Sequence, residues 1–364
     1  AYENGCILLL NNINLASNEC LKFIGDALDS KKISVEMPGM PLKEISMHPY
    51  FRLIAAQNPN NGLFANKRQD LDPDFFSRFQ IIDFPSFEKD ELVEIAQGLA
   101  KYFGYDVSEK FIQDLVDFHL IWSSRDDVKD DVQCFTIREI VATIQALADG
   151  HDFYDTIMTI YGSRYTKQQK EKIIKIFQSF ESFKDMKPSK FEYPYKFPRC
   201  FHNNSLEEAL KAIMLSFENR RHVILTGSKG NGITQVAKWV SQFYNKSGKN
   251  NNEFFCICTE ETNCSDLIGN QKPSDNIGLG KSLIVFKSGL LTKAIQQGKC
   301  IVLDSINEIP STVCERLNSL FDEKYDGMKK IFDISENPQG EPIEIDPNFR
   351  MICTCRIDKI NQMS

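Results

Sequence analysis

Residues 7–16, ILLLNNINLA, and residues 301–309, IVLDSINEI, are one segment written twice, with Asn11 standing where Asp304 stands. The echo continues downstream. HPYFRLIAAQN, residues 48–58, matches DPNFRMICTCR, residues 346–356, so FR and a second apolar run recur in each copy. An apolar run, a polar pair, a helix and a further apolar run form the middle of a nucleotide-binding α/β module. Two copies therefore mean tandem modules. Such a module wants Asp-Glu after its first apolar strand. The first copy has Asn11-Asn12 and the second has Asp304-Ser305.

Between the copies lies HVILTGSKGNGITQVAKWV, residues 222–240. Residues 222–226 read as a short buried strand and 233–245 as a helix, joined by a turn that holds Gly227, Gly230 and Gly232. Strand, glycine turn and helix N-terminus together aim backbone N–H groups at an anion. Glycines let those groups close on phosphate oxygens, and a hydroxyl placed after them reaches Mg²⁺, a role open to Thr234. The lysine of such a loop belongs at 233, where this chain has Ile233; Lys229 lies inside the loop, off that position.

These stretches resemble the midasin family, giant dynein-related AAA+ ATPases with six modules in one polypeptide. FRLIAAQNP, FFSRF, YDTIMTIYGSRY, SDLIGN, SGLLTKAIQQGKCIVLDSIN, ERLNSLF, ENPQGEPIEIDPNFRMICTC and DKINQMS carry the likeness, which covers nearly the whole chain. It implies P-loop NTPase modules of the AAA+ type, parallel α/β sheets in tandem with an α-helical lid. It also implies ATP and Mg²⁺ as ligands, adjacent AAA+ modules of the same polypeptide and pre-ribosomal assembly factors as partners, and a nuclear location in nucleolus or nucleoplasm, with the cytoplasm as the alternative. The implied activity is the ATP-driven remodelling of large-subunit pre-ribosomal particles. Set against the family pattern, this sequence lacks the loop lysine, both catalytic glutamates and one of two sensor asparagines.

Composition agrees. A chain of 364 residues suggests about two domains, and 42% apolar with 26% charged residues is ordinary for a globular protein. A net charge of −7 speaks against a general grip on nucleic acid, which needs clustered Lys and Arg. No apolar stretch approaches the ~18 residues of a membrane span, so no membrane partner is expected. The 11 cysteines include no CxxC pair. Cys256/Cys258 and Cys353/Cys355 sit two apart on predicted strands, which puts each pair on one sheet face as reduced core thiols.

The expected organisation is the C-terminal part of a first α/β core over 1–85, its helical lid over 86–164, a linker over 165–200 and the N-terminal core of a second module over 201–364. The sequence reads as a window on a longer ring protein, with the first module's phosphate loop before it and the second module's lid after it. Strands are expected at 5–10, 51–57, 79–84, 222–226 and 300–303, and all of these except 79–84 are expected to be buried. A helix is expected over 17–29, a hairpin around Pro38-Gly39-Met40-Pro41, lid helices from 88, over 108–123 and from Thr136, and an insertion hairpin within 266–292.

Hydrolysis of Mg-ATP needs one carboxylate for the metal's water shell and a second to orient the attacking water. Asp304 can do the first. Ser305 cannot act as a base near neutral pH, and Asn11-Asn12 can do neither. In the first module the resemblance to AAA+ proteins makes three residues candidates for catalysis: Asn58 as a γ-phosphate sensor, Arg78 in FFSRF as an arginine finger, and Arg138 in FTIREI as the lid's second sensor; the plain alternatives are a strand-end Asx turn, a surface arginine and an exposed helix arginine. Gly227, Gly230, Gly232, Thr234 and Asp304 are the candidate nucleotide-binding residues, with Thr234 and Asp304 at the metal. Two functions are open: a segment of an ATP-driven motor, and a non-catalytic pseudo-ATPase scaffold or other dynein-related protein.

Overall fold

The computed structural model describes residues 1–35, 42–58, 70–124, 135–163, 165, 167–188, 204–246, 253–273, 284–321, 331–332, 334 and 342–356. The chain divides into two compact units, residues 1–98 with 108–140, and residues 99–107 with 141–364. It opens with β1 (Ile7–Leu10), α1 (Asn18–Ser30), β2 (Lys32–Val35), β3 (Lys43–Ser46), β4 (Arg52–Ala55) and α2 (Pro73–Phe76). Six helices follow: α3 (Lys89–Tyr102), α4 (Glu109–Ser123), α5 (Ile137–Ala148), α6 (Phe153–Ile160), α7 (Lys167–Phe177) and α8 (Asn204–Glu218). Then come β5 (Val223–Gly227), α9 (Ile233–Tyr244), β6 (Phe255–Ile257), α10 (Cys264–Leu267), β7 (Gly269–Pro273) and β8 (Ile284–Ser288). The last elements are α11 (Leu290–Gln296), β9 (Cys300–Asp304), α12 (Ser311–Leu317), β10 (Ile331–Phe332), β11 (Ile343–Glu344) and β12 (Arg350–Arg356). None of the described helices is long and apolar enough to cross a membrane.

The second unit is built on a four-stranded parallel sheet in the order β5-β12-β9-β6. Its central strand β9, CIVLD, is buried at every position, as a strand covered on both faces must be. Cys300, Val302 and Ile352 face a cluster with Leu210, Ile213 and Phe217 of α8 and Ala237 and Val240 of α9. Ile301, Leu303, Met351 and Cys353 face the opposite cluster, with Leu267, Leu291, Ile295 and Val313. Each fully buried aliphatic side chain contributes about 1.5–3 kcal/mol, so this sheet holds the unit together. The expected insertion hairpin is the antiparallel pair β7–β8. The stretch after residue 165 is packed at its start, with Ile173, Phe177 and Phe183 buried and Phe153, Phe177 and Phe183 in mutual ring contact. Lys211 of α8 reaches the buried carboxylate of Asp155 on α6 at 2.8 Å.

The first unit repeats the centre of that sheet. β1 pairs in parallel with β4, Ile7 opposite Arg52, as β9 pairs with β12, Cys300 opposite Arg350. After β1, Asn12 takes a left-handed conformation (φ 53°, ψ 46°) and leads into a 3₁₀ turn, Ile13–Leu15; after β9, Ser305 does the same (φ 62°, ψ 50°) into Ile306–Glu308. Before β4, the Phe51 N–H donates to the His48 carbonyl at 2.9 Å, and before β12 Phe349 donates to Asp346 at 2.9 Å. Arg52 Nη1 donates to the carbonyls of Pro49 and Phe51, and Arg350 Nη1 to those of Pro347 and Phe349. The repeat is one of backbone and of hydrogen bonds.

The structure departs from four sequence expectations. Strands 5–10 and 51–57 are shorter, Ile7–Leu10 and Arg52–Ala55, and neither is buried: Ile7 is 66%, Leu9 64% and Ile54 52% exposed. Their counterparts Cys300, Val302 and Ile352 lie under α8 and α9, whereas the first unit's sheet has only two strands among the described residues. Strand 222–226 is also only partly covered, with Ile224 62% exposed, β5 being an edge strand among the described residues. Residues 79–84 form no strand, and Ile81, Ile82 and Phe84 are exposed. Expected helices appear as α1, α3, α4 and α5. Ser17 and Ser108 cap α1 and α4, accepting from Cys20 and Phe111, and the Glu139 carboxylate takes the Thr136 N–H at 2.8 Å. β2 and β3 make the expected antiparallel hairpin; its turn at Pro38-Gly39-Met40-Pro41 lies outside the described residues.

Candidate functional site

The glycine turn runs from the end of β5 into α9. Gly230 and Gly232 have φ of +93° and +74°, conformations an L side chain rarely adopts. Gly232 caps α9 and no side chain does, so the first N–H groups of the helix point at the turn without a capping partner. An anion is favoured there by those donors and by the helix dipole. Ile233 turns back over the loop: its Cγ2 would lie 3.1 Å from a Cβ at Gly227. A branched apolar group thus stands where a phosphate loop carries an ammonium. Lys229 is exposed within the turn.

Beside the turn, Asp304 at the end of β9 receives two hydroxyls on one oxygen. Thr234 Oγ1 donates to Asp304 Oδ1 at 2.7 Å and Thr354 Oγ1 donates to the same oxygen at 2.6 Å. The Ser305 N–H donates to Thr354 Oγ1 at 2.9 Å, tying the residue after the carboxylate into the same network. Asp304 is 9% exposed and Thr354 2%, so these charge-assisted bonds act in a low-dielectric pocket and hold the carboxylate firmly. Thr354 was not singled out in the sequence. Its signal was a hydroxyl within the apolar run 351–355 of β12, at the position where the first copy has Ala56.

A carboxylate and a helix-start hydroxyl sharing a hydrogen bond are the donor set that suits a hard cation such as Mg²⁺, which takes oxygen ligands and keeps waters. Thr234 and Asp304 would hold it, and the backbone of the glycine turn would hold phosphates. Bound Mg²⁺ supplies charge neutralisation for the β- and γ-phosphate oxygens. The cationic side chain for those phosphates has no counterpart at 233, and no carboxylate follows Asp304. Among the described residues no group of three or more His, Cys, Asp or Glu side chains could hold a metal by itself. Among the thiols of these strands, burial pushes Cys353 up to about 12, and Cys258 is raised by its hydrogen bond to Cys256 and by burial. Cys256, stabilised by that hydrogen bond, lies at about 7. Cys258, Cys300, Cys353 and Cys355 are buried free thiols.

In the first unit the candidates fall into separate places. Asn58, just past β4, is exposed; its Nδ2 lies 3.5 Å from Asn12 Oδ1, and its carbonyl accepts from the buried Asn14 side chain at 2.8 Å. Its counterpart Arg356 is approached by the counterpart of Asn14: the Arg356 N–H lies 3.4 Å from Asn307 Oδ1. Arg78 follows α2 and is paired with Asp29 of α1, Nη2 to Oδ2 at 2.6 Å. That hydrogen bond holds the Asp29 carboxyl below its usual range and raises the guanidinium. Arg138 is exposed in the first turn of α5, its N–H bonded to Thr136 Oγ1 at 3.2 Å.

Residues 222–359, which contain the glycine turn, Asp304 and Thr354, match the AAA domain of the dynein-related subfamily. Across 89% of its length the chain is 23% identical to midasin of Giardia intestinalis, and across 88% it is 22% identical to midasin of Dictyostelium discoideum. The chain is midasin-like, with a dynein-related AAA domain. It spans only 8% and 6% of those two relatives. An AAA domain implies nucleotide binding, and the network of Thr234, Asp304 and Thr354 is where this one would bring metal and phosphate together.

Proposed function

We propose that this midasin-like chain is a segment of an AAA+ ring that remodels pre-ribosomal particles of the large subunit in the nucleus, and that its own glycine turn binds ATP weakly without turning it over. Assembly factors and the adjacent modules of the same polypeptide are its partners. The observation that carries the local part is the pair of substitutions around an intact metal corner. Thr234 and Asp304 remain joined at 2.7 Å, while Ile233 lies across Gly227 and Ser305 follows the carboxylate.

The missing ammonium can be scaled. A charge-assisted contact is worth about 1.5–3 kcal/mol, so its loss weakens nucleotide affinity by roughly ten- to a hundredfold. Backbone donors and the helix end remain, which supports residual binding. Without a carboxylate at 305 no side chain there orients the attacking water, which supports the absence of turnover. Arg78, kept in a unit whose own pair is Asn11-Asn12, serves the nucleotide of a neighbouring module. Asn58 and Arg138 are accessory to that site. Titration calorimetry of ATP into the intact protein, with every other glycine loop disabled, tests the local reading. Affinity in the submicromolar range contradicts it; weaker or no binding is expected.

A further inference from the structure

The Arg78 guanidinium is held on two sides by its own unit. Nε lies 2.9 and 3.0 Å from the two carboxylate oxygens of Asp29, Nη2 donates to Oδ2 at 2.6 Å, and Nη1 donates to the Asp74 carbonyl. Gly25, one helical turn before Asp29 on α1, offers bare backbone to it: a Cβ there would lie 3.5 Å from Cζ. The guanidinium therefore lies against α1 between Gly25 and Asp29. An arginine has five N–H groups. These bonds engage one each on Nε, Nη1 and Nη2, which leaves one on each terminal nitrogen. The side chain is 27% exposed. As a stability device such a surface pair contributes little, so its geometry is better explained by orientation than by stabilisation.

We propose that Asp29 is a positioning residue for Arg78, taking one edge of the guanidinium so that its terminal N–H groups form a fixed fork for the terminal phosphate of a nucleoside triphosphate held by another module. This rests on the reading of Arg78 as acting in trans. An unanchored arginine carries rotamer entropy that it loses on engaging a phosphate. A carboxylate that holds the side chain in place beforehand removes much of that loss from the reaction step. Gly25 leaves bare backbone beneath the guanidinium, where a Cβ would come only into ordinary contact with it.

The experiment uses the intact protein, with Arg78→Ala, Asp29→Ala, Asp29→Glu and the double alanine variant. Two readouts are taken: steady-state ATPase, and affinity for ADP with and without aluminium fluoride as a mimic of the transferring phosphate. Arg78→Ala is expected to lower kcat by tenfold or more. Asp29→Ala should lower kcat and aluminium fluoride-dependent affinity by about tenfold, with KM and ADP affinity within about twofold. Asp29→Glu should recover part of this, and the double variant should be no worse than Arg78→Ala alone. A thermal midpoint within about 2 °C of the parent separates these losses from unfolding. If Arg78→Ala is impaired while Asp29→Ala stays within about twofold in both readouts, the role of Asp29 is overturned and that of Arg78 stands. A faster Asp29→Ala enzyme overturns it too, by showing that the carboxylate restrains the arginine. An unimpaired Arg78→Ala protein overturns the reading in trans, and the positioning role with it.

Discussion

The strand-and-turn centre of a nucleotide module occurs twice in this chain, and the two copies have lost different things. Both keep the parallel strand pair, the left-handed residue at 12 or 305, the 3₁₀ turn after it and an arginine clasping two carbonyls before the second strand. The second copy keeps a carboxylate, Asp304, and the hydroxyls of Thr234 and Thr354 on it. The first has amides there and keeps instead a forked arginine–carboxylate pair at Arg78 and Asp29. Backbone geometry thus survives the loss of chemistry, because hydrogen bonds within the main chain maintain it. Asn12 tolerates the left-handed region better than most residues, and its amide can occupy a carboxylate's place without its charge.

The arginines give the largest expected contrast. Arg350 is 6% exposed and adds a bond from Nε to the Phe217 carbonyl at the end of α8, while Arg52 is exposed. Arg350→Ala removes its buried charge-assisted bonds to the Phe217 and Phe349 carbonyls and should destabilise by about 3–5 kcal/mol; Arg52→Ala should cost below about 1 kcal/mol. Urea unfolding of each variant checks this, and equal costs would break the distinction between a covered and an open copy.

Next in size is the glycine turn. Ile233→Lys should tighten ATP binding by roughly ten- to a hundredfold, read by calorimetry. An unchanged affinity would mean that the turn is wrongly shaped for phosphate and not merely short of a charge. A smaller effect is expected at the carboxylate. Thr354→Val removes one of the two hydroxyls on Asp304 and should destabilise by about 1–2 kcal/mol, whereas Ala56→Val in the first copy, where no carboxylate waits, should change stability by less than about 1 kcal/mol.

The smallest effect is one of pH. Burial holds the His119 imidazole below its usual value, against an opposing pull from the Glu139 carboxylate. The unfolded chain then binds the proton more readily than the folded one, so this contribution to stability is complete above the unfolded value of about 6.5 and is lost as pH falls towards the folded one. Thermal midpoints between pH 7 and 5 should fall less steeply in His119→Gln than in the parent. Parallel slopes would show the residue to be irrelevant to acid sensitivity.

Much of this was legible in the chain. The repeat marked β1, β4, β9 and β12 as apolar runs, and CIVL of β9 is a run of the kind that a parallel strand buried between layers needs. The glycine turn, Thr234 and Asp304 were legible for a similar reason: a strand, a glycine turn and a helix leave few ways to bind an anion. What the sequence hid was coverage. ILLL reads as apolar as CIVL, yet Ile7 and Leu9 are open, since burial depends on what lies over a strand and not on the strand itself. Likewise IIDF at 81–84 looks like a strand, but among the described residues it has no ladder partner. Thr354 and Asp29 were missed because each acts through a residue distant in sequence, Asp304 and Arg78, and neither spacing follows a helical or strand period.

The central claim is that the second copy retains a metal corner but has lost the two groups that make ATP binding tight and hydrolysis possible. Its most direct test is phosphate release from the intact protein in which residues 227–234 form the only undisturbed glycine loop, measured before and after the joint change Ile233→Lys with Ser305→Glu. The account predicts no release above background from the parent loop and ATP-dependent release once both groups are restored. Turnover by the parent loop, with Ile233 and Ser305 in place, would contradict it.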